Sequence, residues 1–125
     1  MTIRRQSQTL LASAARTTAQ TSADFSAEEV LTSDFIFDVT LDPSTASVTP
    51  SIQCKDEVTG TYYTILTGAA VAATGTTVMR IGPTIIAAAN VAANAMLTKI
   101  FRVSVAVADA ESLTYSFTVN HMVQN

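Results

Sequence analysis

The sequence predicts an all-β fold: an antiparallel β-sandwich of jelly-roll-like type, with about seven or eight short strands and an extended N-terminal arm. Three observations lead there. From Phe35 onward apolar residues recur at every second position, the period of a half-buried strand. Turn chemistry interrupts that pattern at short intervals, as in sandwiches and barrels. Leu, Ile, Val and Phe together make up about a quarter of the chain, above the roughly 20% below which a chain stays disordered, so its 125 residues can bury a single core.

The first 33 residues differ from the rest. They are rich in Ser, Thr, Gln and Ala and contain neither Gly nor Pro. This divides the chain into an arm, residues 1–33, and a sandwich domain, residues 34–125. Thr9 to Thr17 reads as a strand or extended arm, with a helix over Leu10–Ala15 as the alternative. Ser26-Ala27-Glu28-Glu29 has the form of a capping box and predicts one helical turn.

Phe35, Phe37, Val39 and Leu41 then alternate with polar positions, and Asp42-Pro43-Ser44 turns the chain. Val48, Pro50, Ile52 and Cys54 form the next inward set. Pro50 has no amide hydrogen, which places that strand at an edge or at a bulge. Asp56 to Gly60 closes a hairpin with glycine where φ must be positive. Thr61 to Leu66 returns, carrying Tyr62 and Tyr63. A further pair is expected over Gly68–Ala73 and Thr76–Ile81, ended by Gly82-Pro83. Residues 84–99 read as a loop with one or two helical turns. The last hairpin pairs Phe101–Val107 with Leu113–Val119 across Asp109-Ala110-Glu111.

Charge is sparse. Only 14% of residues are charged, where about 25% is usual. A folded monomer of this size exposes about 6,400 Å², thin cover for so few charges. Copies of the chain, or a partner, are expected to cover part of that surface. The net charge of −3 argues against general nucleic-acid binding. No apolar run approaches the length of a membrane span, and Leu10–Ala12 is too short for a secretion signal, so synthesis in a cytoplasm is expected.

Candidate chemistry is scarce. Asp34, Asp38 and Asp42 share one strand face, but at about 3.3 Å per residue neighbours four apart lie roughly 13 Å from each other, too far for an acid/base pair. Asp56 with Glu57, and Asp109 with Glu111, offer too few oxygens for calcium. His121 has no second histidine or cysteine near it and reads as a surface or interface residue. Cys54 is expected inward as a free thiol. Tyr62-Tyr63 could stack on a sugar. The expectation is no catalytic, cofactor or metal residue, and no enzyme.

Several stretches together resemble a family of small proteins encoded in tailed-bacteriophage genomes. They are Leu10–Thr17, Phe37–Thr40, the hairpin Ile52–Leu66, Thr74–Arg80, Phe101–Val105 and Asp109–Tyr115. The resemblance implies a virion component, foremost a capsid decoration (cement) protein that binds the major capsid protein on the capsid surface as a homo-oligomer, a trimer or dimer. A tail, baseplate or fibre-associated protein, or a small carbohydrate-binding module, are the alternatives. The residues expected to face a partner are Arg4, Arg5, Leu10, Leu11 and Arg16. They combine the positive charge and the strongest apolar cluster of a segment too small for a core of its own.

Overall fold

The computed structural model describes residues 2–124; Met1 and Asn125, the outer bounds of the two expected segments, lie outside the described residues. Ten strands and no helix occur among them: β1 (Ile3–Arg16), β2 (Gln20–Thr21), β3 (Phe25–Ser26), β4 (Val30–Leu41), β5 (Val48–Lys55), β6 (Tyr62–Thr67), β7 (Gly75–Gly82), β8 (Ala92–Asn94), β9 (Ile100–Val107) and β10 (Leu113–Gln124). One sheet has the order β1-β10-β4-β7-β8. The other has β2-β9-β5-β6, with β3 also pairing β9. With β8 set aside and β2 and β3 taken as one interrupted strand, this is the eight-strand order of a jelly roll. The expected seven or eight strands become ten because β2, β3 and β8 are added while Gly68–Ala73 forms none.

The core lies between the sheets. It is built from the period-two faces: Phe35, Phe37 and Val39 of β4, Ile52 and Cys54 of β5, Phe101, Val103 and Val105 of β9, and Leu113, Tyr115, Phe117 and Val119 of β10. Aromatic rings meet edge to face in it, Phe35 lying 5.8 Å from Phe101 of the opposite sheet and Phe37 5.4 Å from its cross-strand partner Phe117. Cys54 is a free, fully buried thiol, on the face that alternation assigned it. The chain exposes 6510 Å², close to the area expected of a compact monomer.

The first 33 residues, expected as an arm ahead of the sandwich, supply its edge strands. β1 runs antiparallel to β10 from Ile3↔Gln124 to Arg16↔Leu113, while β2 and β3 pair β9 in the opposite sheet. Leu10 and Ala27 belong to the common core. A mostly polar segment can do this because the ladder to β10 consists of backbone hydrogen bonds, while Leu10, Leu11, Phe25 and Ala27 supply the apolar contacts.

Four local expectations are corrected. Ser26–Glu29 forms no helical turn: Ser26 ends β3, the Ala27 amide donates to the Lys99 carbonyl, and Glu29 has φ of 57°. Gly68–Ala73 is not a strand. Its contribution is the bridge Val48↔Val71, closed by two backbone bonds. Residues 84–99 contain no helix; they turn and then supply β8, which runs parallel to β7. β5 is not at an edge but between β9 and β6; the alternative, a bulge, lies two residues beyond Pro50, where the register against β6 shifts between Ile52 and Gln53. Pro50 is tolerated because it sits one residue beyond the last β6 pair, Ser51↔Thr67, where its carbonyl accepts from the Gly68 amide at 2.8 Å. The Asp56–Gly60 turn forms as expected, with φ of 77° at Gly60 and the Asp56 carboxylate accepting from the Val58 amide and the Thr59 hydroxyl.

Candidate functional site

The five residues expected to face a partner all lie on β1, but in different environments. Leu10 is only 5% exposed and packs in the chain's own core, so it is not offered to a partner. Leu11 is half-buried against the same core. Arg16 folds back on its own chain. The register of β1 slips between Leu11 and Ala14, which frees carbonyls from the ladder. The guanidinium donates to those of Ala12 (2.5 Å) and Ala14 (3.4 Å) and to that of Tyr115 (2.9 Å), with its carbon 4.6 Å from the Tyr115 ring centre. Arg4 and Arg5 stand exposed near the start of the strand. Arg5 shares a shallow depression on the outer sheet face with Ser7, Thr32, Asp34 and Asn120.

His121, expected at the surface, is buried at 1% exposure. It continues the odd-numbered inward set of Leu113 to Val119, and that signal in the sequence could have placed it. Its Nδ1 lies 2.7 Å from the Ser33 hydroxyl and its Nε2 lies 2.9 Å from Gln8 Oε1. Gln8 Nε2 in turn donates to the Ser26 carbonyl at 3.1 Å. That bond fixes the direction of the chain: Ser33 donates to Nδ1, Nε2–H donates to Gln8, and Gln8 donates to Ser26. The relay ties β4, β10 and β1 of one sheet to β3 of the other. Burial pushes the imidazole down from its usual range to about 4, so it is neutral at pH 7. A hydrogen-bonded Ser–His pair is chemically a nucleophile and a base, but here both members are buried and the third partner is an uncharged amide rather than a carboxylate. The arrangement is built for tying strands together.

The three regularly spaced carboxylates are not brought together. Asp34 pairs with Arg80 at 2.8 Å, Asp38 accepts from Thr76 at 3.1 Å, and Asp42 accepts from the Ala46 amide at 2.8 Å. No group of three or more His, Cys, Asp or Glu side chains that could hold a metal occurs among the described residues. The adjacent tyrosines part company. The Tyr62 ring lies under the Arg102 guanidinium, 3.4 Å from carbon to centroid, and its hydroxyl donates to Asp24 at 2.7 Å. That hydroxyl, with Lys55 adding to it, holds the Asp24 carboxyl below the usual range. Tyr63 remains exposed.

The most distinctive surface lies on the opposite flank from β1. Between Glu57 and Lys99 the sequence has a single charged residue, Arg80. This span forms β6, β7, β8 and their loops, with β6 and β8 in contact across the sandwich. Val58 (94% exposed), Ile86 (89%) and Met96 (73%) project from it, together with Tyr63, Val78 and Val91. The loop bearing Ile86 is held in a set conformation. Thr84 and Asn90 have left-handed φ values of 66° and 67°. The Asn90 side chain donates to the Thr67 carbonyl at 2.9 Å, and Asn94 accepts from the Thr84 amide at 3.2 Å. A cleft of about 700 Å³ separates Met96–Lys99 from the β5–β6 turn; Val58, Tyr63 and Leu97 line it, and the charged Lys55, Asp56, Glu57 and Lys99 border it. Sequence reasoning registered the low charge but did not gather it on one flank.

Comparison with protein-family models, with curated proteins and with solved structures found no match for this chain.

Proposed function

We propose that this chain is a non-enzymatic structural protein of a bacteriophage virion, a capsid decoration protein that bridges neighbouring major capsid subunits. The observation that carries this reading is the charge-poor β6–β8 flank, where Val58, Ile86 and Met96 stand in water and Arg80 is the one charged residue between Glu57 and Lys99. Large apolar side chains exposed on a surface of low charge mark places that other proteins cover. The jelly roll adds support by analogy, since viral capsid proteins use that architecture; lectins use it as well. The resemblance of Ile52–Leu66 and the other stretches to tailed-phage proteins narrows the setting to a virion. Many copies, each closed into a trimer or dimer, would hold a shell by avidity rather than by strong single contacts.

Purified particles of the phage that encodes the chain provide the test. A decoration protein is present in hundreds of copies over the head surface in a particle reconstruction. A few copies at one vertex or on the tail would replace this reading with a tail or baseplate component. Saturable binding on a glycan array without particle binding would replace it with a carbohydrate-binding module using the exposed Tyr63.

A further inference from the structure

A sheet edge is a row of unpaired backbone donors and acceptors, and proteins blunt such rows with short strands, proline, lysine or a covering segment. Three of the edges here are short: β8 has three residues, β6 has six, and β2 and β3 have two each. β1 has fourteen, with no proline, no glycine and no lysine, and Gln6–Ala15 carries no charge. Its stretch Ile3–Thr9 pairs β10 without a register shift, so the outward row there is regular.

Two further observations bear on what would occupy it. The strand is already fastened in place: Leu10 lies in the core, Gln8 binds His121 and the Ser26 carbonyl, and Arg16 binds the Tyr115 carbonyl. An incoming strand meets a formed template and bears little of the cost of ordering it. The charge along the edge strand itself is one-sided. Residues 2–23 contain Arg4, Arg5 and Arg16 and no carboxylate, while all ten carboxylates lie later in the chain. A second β1 laid antiparallel about the middle of Ile3–Thr9 would set Arg5 diagonally beside its own copy, an unfavourable like-charge pair. An acidic strand meets no such opposition.

We propose that the outer edge of β1, over Ile3–Thr9, is a strand-addition site for an extended acidic segment of another protein. Backbone bonds would supply most of the attraction, and the arginines would select the charge and orient the approach. This goes beyond the decoration reading and does not depend on it, because it concerns the opposite flank and uses no particle.

The test uses the intact chain, ¹⁵N-labelled, and two synthetic peptides of alternating Thr and Val, one flanked by Glu and one by Lys. The Glu peptide should shift the β1 amides saturably. It should also slow exchange at least tenfold at those β1 amides that do not bond to β10. The Lys peptide should bind at least tenfold more weakly at low salt. The Glu peptide N-methylated at alternate residues, which cannot extend a ladder, should give no protection, and Arg5→Glu should reverse the peptide preference; circular dichroism checks that the variant folds. No protection with either peptide overturns the proposal, as does an equal response to both. A dimer of the chain alone, seen by sedimentation and protecting the same β1 amides, overturns it in favour of a second copy. None of these outcomes bears on particle binding, so failure here and failure of the decoration reading are distinguishable.

Discussion

The β1 flank and the β6–β8 flank close the same sandwich by different means. On the β1 flank, polar side chains do the fastening: the Ser33–His121–Gln8–Ser26 relay joins the two sheets, and Arg16 satisfies the carbonyls of a bulge. On the other flank short strands and loops meet, charge is nearly absent, and apolar side chains point into water. One side spends its polar groups internally and leaves backbone open. The other keeps backbone edges short and leaves apolar surface open. The lesson is that a low-charge sandwich can offer two chemically distinct contacts, one through main chain and one through side chains.

The largest expected effect comes from breaking the β1 side. Leu10→Ala should cost about 2–5 kcal/mol, the usual range for a buried leucine, because Leu10 is the β1 side chain most deeply set in the core. Denaturant titration measures it, and hydrogen exchange should show β1 opening first. A cost under about 0.5 kcal/mol would mean that β1 is held by its backbone ladder alone.

Acid should weaken the same side. His121 titrates at about 4 in the folded chain and near 6.5 when unfolded. Between those values the unfolded state binds a proton that the folded state does not, so stability falls as pH drops from about 6.5 to about 4. The loss approaches about 3 kcal/mol and levels off below that window. Asp24 and Asp56, held below the usual carboxylate range, titrate mostly below it. Chemical denaturation at several pH values checks this, with His121→Gln expected to flatten the slope. An unchanged slope in that variant would assign the effect elsewhere.

Arg16→Met should cost about 1 kcal/mol, since the lost bonds are partly solvent-exposed and water replaces some of them. Thermal melting would detect it. The smallest effect on folding is expected on the opposite flank. Ile86→Ser combined with Met96→Ser should change stability by no more than about 0.5 kcal/mol, because both side chains are already in water. The same double variant should lose association with particles in a sedimentation assay. Full binding by it would break the contrast between the flanks.

Much of the fold was legible in the sequence. Alternation marked β4, β5, β9 and β10, and Asp56–Gly60 marked its own turn, because these signals depend on neighbours within a few residues. His121 was legible in principle, as the next odd position after Val119, but a lone polar residue near the end of a strand carries no local sign that partners await it. Ser33 and Gln8, which make its burial tolerable, lie 88 and 113 residues away in sequence. β8 gave no signal either: Ala92-Ala93-Asn94 has weak strand preference, and its pairing with Arg80–Gly82 depends on β7 being in place.

By itself, then, the sequence determined the class, the core faces and the poverty of charge, since period, turn chemistry and composition are local properties of the chain. Only the tertiary structure decided that the whole polar first quarter would furnish edge strands, that Arg16 would be spent on its own chain and His121 inside, and that the charge-poor residues would gather on one flank. Those outcomes depend on which backbone edges and which distant side chains meet, and long-range pairing leaves no periodic trace in either partner alone.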